Sequence, residues 1–401
     1  MAFMANSIIF AENKLRLGIR NECVHFILLS PCIIFAENKL RLGIRNECVH
    51  FILLSPCIIF ARETIYQTKY HQLKMEAQIT RRPYTIGLDL GGTNAVFGIV
   101  DAQGNILEHT SIKTQQYSTA EDFVNAGVEA LMPIVDKVGG INKIEGMGIG
   151  APNSNFYDGT IAYAPNISWA HECVVPFAKM FSDKLSVPVA ITNDANAAAL
   201  GEMTYGVAKG MKNFIMITLG TGVGAGIVIN GQMVYGSDGM AGELGHVIMR
   251  RENGRTCGCG RKGCLEAYCS ATGVARTARE FLETSPEPSL LRDMNPEEIT
   301  SLDVSKAAAK GDALSLRVYE FTGKMLGEAC ADFMTFCSPE AFVFFGGLTK
   351  AGDLLMKPLI KGYEENVLGI FRGKAKFLVS SLDGAGAAVL GASAIAKNIE
   401  H

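Results

Sequence analysis

The chain has 401 residues, 48% of them apolar and 19% charged, with a formal net charge of −3. That length accommodates two domains, each with its own core. The near-neutral charge offers no basic face to nucleic acid or to an anionic membrane surface, which argues against both as partners.

Residues 8–32, IIFAENKLRLGIRNECVHFILLSPC, recur letter for letter as residues 33–57, and a third copy begins at Ile58. Structural repeats drift in sequence while keeping their core pattern, so an undrifted copy points to a tandem repeat translated in frame. Residues 1–74 are therefore expected to lie outside the fold, with the native start at Met75. The apolar run Val24–Ala36 is too short to span a bilayer. No signal-peptide layout is present, and the block lacks the two amphipathic helices of a helix-turn-helix.

Beyond it, Tyr84–Leu90 reads as an apolar strand ending near Asp89. Gly91-Gly92-Thr93-Asn94 turns, and Ala95–Asp101 and Ile106–Lys113 follow as strands. Ser118–Val138 has helical periodicity, with Thr119 and Glu121 near its start. Ile144–Gly150 and Val187–Thr192 read as buried strands, and Asn193–Glu202 (NDANAAALGE) as an Ala-rich helix. The opening then returns: strand Phe214–Leu219, a turn at Gly220-Thr221-Gly222-Val223-Gly224, and strands Ala225–Asn230 and Gln232–Tyr235. DLGGTNAVFGIVDAQGNIL and TLGTGVGAGIVINGQMV are diverged copies of one pattern, which predicts two similar α/β domains facing across a cleft. Thr284–Glu297, with three prolines, reads as a loop. Val304–Lys310, Ala313–Phe336, Asp353–Val367 and Ala385–Asn398 read as helices, and Ala341–Phe345 and Ala375–Val379 as strands.

Of eleven cysteines, Cys257, Cys259 and Cys264 lie close together, a metal spacing that fits a reducing, cytoplasmic setting rather than a disulfide framework. With His246 they form H-x10-C-x-C-x4-C, a Cys3His set suited to a closed, structural zinc site. A zinc-bound His246 would keep its second ring nitrogen for a ligand. The two glycine turns present backbone N–H groups and the hydroxyls of Thr93 and Thr221 to an anion. Asp89 is placed to hold Mg²⁺, through water. Neither turn is a P-loop, and each runs into a strand rather than the helix that a dinucleotide fingerprint demands. Asp194 opens a helix, where an ionised carboxylate is favoured, the form a general base needs; the plain alternative is an ordinary N-cap. Glu243, His246 and Glu266, with Asn166 and Asn193, form a donor and acceptor set suited to a polyol.

With DLGGTN, PNISW, NDANAAALGE, LGTGVGAGIVINGQ, GELGH, CGCGRKGCLEAYCS and Gly346-Gly347 assembled, the sequence resembles the ROK family of sugar kinases and repressors, in the actin/hexokinase-like superfamily, from about Tyr84 to Ala396. The resemblance implies two actin-like (ribonuclease H-like) α/β domains around a central cleft: a small one of residues 82–196 plus 380–401, and a large one of residues 197–379 carrying the zinc loop and a dimerisation surface. It implies ATP-dependent phosphorylation of a hexose 6-hydroxyl, glucose first, with another sugar or a sugar-responsive repressor as alternatives. Asp194 would be the base, and Asn166, Asn193, Glu243, His246 and Glu266 would hold sugar hydroxyls. Asp89 would assist Mg²⁺. Gly91, Gly92, Thr93, Asn94, Thr221 and Gly222 would hold the phosphates of ATP, Gly346 and Gly347 would approach the adenosine, and zinc would be structural. A homodimer or homotetramer is expected. Two departures bear on sugar choice: Pro152-Asn153 where many relatives have Pro-Gly, and Ser168 in place of a frequent proline before Trp169.

Overall fold

A computed structural model describes residues 37–40, 49–52, 82–382 and 384–397. The chain divides into two compact units, Met1–Arg81 and Arg82–His401. In the first, Glu37–Leu40 and Val49–Ile52 pair as antiparallel strands. The expectations for residues 1–74 otherwise lie outside the described residues, as do Asn398 and the four N-terminal cysteines.

The second unit contains two five-stranded sheets. The first is formed by β1 (Tyr84–Leu90), β2 (Asn94–Val100), β3 (Ile106–Lys113), β4 (Ile144–Gly150) and β5 (Val189–Thr192). Its spatial order is β3-β2-β1-β4-β5, with the first three antiparallel and β1, β4 and β5 parallel. The second is formed by β6 (Phe214–Leu219), β7 (Val223–Ile229), β8 (Gln232–Met233), β9 (Ala341–Phe345) and β10 (Lys376–Val379). It repeats the order and directions as β8-β7-β6-β9-β10. The echo between the two glycine turns is thus one topology used twice.

Helix α1 (Ala120–Lys137) is capped by Thr119, whose side chain accepts from Asp122 N. The helical pattern through Ser118 stops there because Thr119 is in the extended conformation of an N-cap. Helix α2 (Phe177–Leu185) supplies Phe177 and Phe181 to the first core beside Phe97, Phe123 and Trp169. Helix α3 (Asp194–Tyr205) runs three residues past the predicted Glu202. The second core gathers around α4 (Glu266–Cys269), α5 (Ala271–Thr284), α6 (Ser301–Ala309), α7 (Ala313–Cys337) and α8 (Asp353–Asn366). Helices α2, α4 and α5 have no counterpart in the sequence reading. Helix α5 buries Gly273, Val274, Ala275, Thr277 and Ala278 on one face, small residues that the sequence reading did not take as a helical stripe.

The closing helix α9 (Gly384–Ala396) lies on the first sheet, not the second. Small residues set its approach. A Cβ on Gly87 would overlap the carbonyl oxygen of Val389, and one on Gly148 that of Ala392. Helices α3 and α9 also touch backbone to backbone: a Cβ on Gly201 would lie 2.9 Å from Gly391 Cα, and one on Gly391 2.6 Å from Ala197 O. On its other side α3 meets the second sheet, where Cβ atoms on Gly224 and Gly226 would crowd Ala195 and Ala199. Helix α9 and the second sheet therefore hold α3 from two sides, with alanines at the closest contacts. At its C-terminal end the buried Glu202 accepts from Val207 N and from Ser380 Oγ, tying the chain's passage into the second sheet to its return.

Gly148→Ala must displace helix backbone rather than a flexible side chain, so a loss of at least ~3 kcal/mol is expected. Gly347→Ala, where a Cβ meets nothing, is the neutral control. Denaturant melts of the two variants check this; equal midpoints would refute the packing account.

Candidate active site

The first glycine turn is held from three sides. Gly91 N donates to Asn94 O within the turn. Thr114 Oγ1 donates to Gly91 O at 2.7 Å, and Thr114 N to Thr93 O. Lys113 Nζ donates to Asn94 Oδ1 at 2.8 Å. Gly92 faces the PNISW segment so closely that a Cβ would lie 2.8 Å from Asn166 O. The turn and Asn166 line one hollow of about 580 Å³, together with Gln115, Pro165, Ser168 and His171.

Strand β5 ends beside that hollow's own sheet and delivers α3. The N-cap is Asn193, whose Oδ1 accepts from Asn196 N at 2.7 Å. Asp194 is instead the first helical residue; its Oδ1 accepts from Ala195 N at 2.8 Å and its side chain is exposed. The N-cap alternative thus passes to Asn193, and Asp194 retains acceptor capacity for a ligand. Asp89, half-buried near the end of β1, has its pKa pushed from 3.8 to about 6, first by burial and then by the charge of Asp194. The two carboxylates are thus close enough for the charge of one to act on the other.

The second turn joins the metal loop directly. Ala271 N, in the first turn of α5, donates to Gly220 O, and Thr272 Oγ1 to Thr221 O. Glu266 Oε2 accepts from Val223 N at 3.0 Å, and Oε1 accepts from Cys257 Sγ at 3.4 Å. A Cβ on Gly222 would sit 2.5 Å from Glu266 Oε2, so a larger residue there would have to push that carboxylate aside. Residues 242–246 run against β7: a Cβ on Gly245 would overlap Val223 O, and one on Gly242 would lie 3.2 Å from Ala225 O. This segment carries exposed Glu243 and half-buried His246.

His246, Cys257, Cys259 and Cys264 bring their donor atoms within 4.8 Å of one another. His246 Nδ1 is 3.7 Å from Cys257 Sγ, and Cys259 and Cys264 Sγ are 3.7 Å apart. Ligands 2.3 Å from a tetrahedral zinc stand ~3.8 Å apart, so the donor set fits that ion. Burial pushes the Cys257 thiol up to about 12, while the Arg261 amide holds the exposed Cys259 down. Gly346, at φ 107, passes 2.5 Å from Leu219 O when given a Cβ, whereas Gly347 opens to solvent.

Four features were not singled out from the sequence: Gln115, Lys113, His171, and the pair Asn155 and Tyr157. Asn155 Nδ2 donates to Asp238 O and Tyr157 Oη to Gly236 O, with Phe156 stacked on Tyr235 at 3.9 Å. These join the loop after β4 to the loop after β8. Asn153 adopts φ 53, a left-handed conformation that glycine takes freely and asparagine tolerates best among the rest. Pro152-Asn153 thus keeps the backbone that Pro-Gly would give.

The ROK family model matches residues 85–399. The chain belongs to the ROK family. Among ROK relatives, a glucokinase from Halalkalibacterium halodurans is 38% identical over 323 residues, 79% of this chain and 96% of that protein. A ROK family glucokinase from Streptomyces griseus, solved in complex with glucose and AMPPNP, is 34% identical with a TM-score of 0.63, over 78% of this chain and 99% of that one. A ROK hexokinase from Thermus thermophilus is 28% identical with a TM-score of 0.66, over 77% and 97%. The actin-like α/β fold expected from the ROK resemblance is the fold observed.

Asp89 carries a pH-dependent penalty. The folded chain holds its proton with a pKa of about 6 against 3.8 when unfolded. Its favourable contribution is therefore complete below the unfolded value and lost as pH rises through about 6. Asp89→Asn should raise the Tm of Mg²⁺-free protein at about pH 8 by a few degrees, ~1–2 kcal/mol, a gain that fades towards about pH 4. Thermal melts at both pH values check this; a lower Tm at the higher pH would show that the fold favours the ionised form.

Proposed function

We propose that this chain is an ATP-dependent glucokinase, transferring the γ-phosphoryl group of ATP to the 6-hydroxyl of glucose to give glucose 6-phosphate and ADP. The observation that carries the reading is the exposed Asp194 carboxylate at the start of α3, near Asp89 between two glycine turns. Glucokinase relatives at up to 38% identity over most of the chain support it.

Phosphoryl transfer to an alcohol needs little from the protein beyond positioning, charge stabilisation and one acceptor for the hydroxyl proton. Asp194 is that acceptor: one oxygen is occupied by Ala195 N, leaving the other to take the proton as the 6-oxygen attacks the γ-phosphorus. Asn166, Asn193, Glu243, His246 and Glu266 hold the remaining sugar hydroxyls, and the turns at Gly91–Asn94 and Thr221–Gly222 hold the phosphates. Magnesium, when bound, would neutralise charge on the β- and γ-phosphates; Asp89 is the residue at hand for it, since a cation relieves the two neighbouring carboxylates. A repressor would need neither Asp194 nor the two phosphate turns.

Zinc on His246, Cys257, Cys259 and Cys264 is structural in this reading, because four protein ligands leave no open position. With Cys257 held as a thiolate by such an ion, Glu266 Oε1 would lack its present donor and would be available to a sugar hydroxyl, while Val223 N keeps Oε2 in place. The seven free cysteines among the described residues fit a reducing, cytoplasmic setting.

Asp194→Asn should lower turnover by ~10²–10⁴-fold with glucose affinity retained; a coupled ADP-release assay with calorimetric glucose binding checks it, and wild-type turnover would remove Asp194 as the base. Stripping the zinc, verified by metal analysis, should raise the glucose KM by ~10–100-fold and lower Tm. Unchanged KM in zinc-free protein would separate the metal loop from the sugar site.

A further inference from the structure

Gln115 is exposed, two residues past the end of β3 and next to the buried Thr114. An exposed glutamine ordinarily spends its hydrogen bonds on water. Here Nε2 donates both its hydrogens to protein: to Gly92 O and to Asn166 O, each at 2.7 Å. The amide orientation follows from its partners. Both acceptors are carbonyl oxygens, so the flipped amide would set three oxygens against one another.

The two carbonyls belong to segments with different tasks. Gly92 is in the turn that would hold phosphate, and Asn166 is in the segment that would hold sugar. They already touch, since the turn has no room for a Cβ against Asn166 O. Thr114 anchors the same short helix to both sides: Oγ1 and N reach Gly91 O and Thr93 O, and its own carbonyl accepts from Trp169 Nε1 at 3.4 Å. Gln115 is the polar link at the exposed rim of this junction, and it lines the hollow shared by Thr93 and Asn166. Ordering either segment through Gln115 restricts the other, so the second ligand meets a turn whose freedom is already lost.

We propose that Gln115 is a positioning residue that couples sugar occupancy to nucleotide binding, through its paired hydrogen bonds to Gly92 O and Asn166 O. The proposal rests on the glucokinase reading. It concerns main-chain carbonyls, so it requires a donor at position 115 rather than an amide as such.

The test is calorimetric binding of AMPPNP to the full chain, with and without saturating glucose, beside steady-state kinetics and melts. In the wild type, glucose should tighten AMPPNP at least about fivefold, and AMPPNP should tighten glucose by the same factor. Gln115→Met keeps length and removes the donors. It should cut the coupling to below about twofold and raise both KM values about tenfold, leaving kcat within a few-fold and Tm within about 2 °C. Gln115→Lys restores donors and should recover most of the coupling. Wild-type coupling in Gln115→Met, no coupling in the wild type, or a loss accompanied by a collapse in Tm each overturns the proposal. A wild-type chain that does not phosphorylate glucose fails the functional reading instead, and that result is read before any variant is made.

Discussion

The contact on which the rest depends is the near-backbone approach of α3 to α9 and to both sheets. Helices normally pack 8–10 Å apart, the spacing set by the side chains between them. Gly201 and Gly391 remove those side chains on one side of α3, and Gly224 and Gly226 make room on the other. The outcome is a helix with little lateral freedom whose first residue is Asp194. A general base must be held within fractions of an ångström, and for the proposed base Asp194 the holding is done by packing along the helix. Glu202 fixes the opposite end of the same helix.

A second chain of contacts runs crosswise. Cys257 touches His246 and Glu266, and Glu266 touches Val223, the first residue of β7 after the second turn. The loop of the candidate metal ligands and the second glycine turn are therefore consecutive links rather than neighbours by chance. His246 and Glu266 each belong to the loop and to the candidate polyol set. The aromatic stack of Phe156 on Tyr235 adds a further link, and burial there pushes the Tyr235 hydroxyl up to about 12, so it remains a neutral partner.

Much of this was legible in sequence because it depends on period and spacing. The central strands of both sheets have apolar runs, the glycine turns repeat, and the Cys/His cluster is local. What was not legible depends on three-dimensional neighbours. Gln115 has no signature, since its partners are main-chain carbonyls that every residue possesses. The identity of the N-cap turned on whether Asn193 or Asp194 was extended, a distinction of one residue. Asn153 looked like a departure until its left-handed backbone showed that asparagine serves the same conformation. The raised Asp89 pKa needed its burial and the position of Asp194, both set by the fold.

The glycines beneath α9 also govern the order in which the protein can be completed. The face of β1 and β4 that receives α9 is built from residues 84–150, and its cover comes from residues 384–396. While the polypeptide emerges from the ribosome, that face stays uncovered until α9 has been synthesised. The second sheet, by contrast, closes from strands and helices that lie between its own ends. Synthesis therefore finishes the inserted half first and the enclosing half last. The interval between them is when the apolar face of the first sheet is open to chaperones or to misassociation.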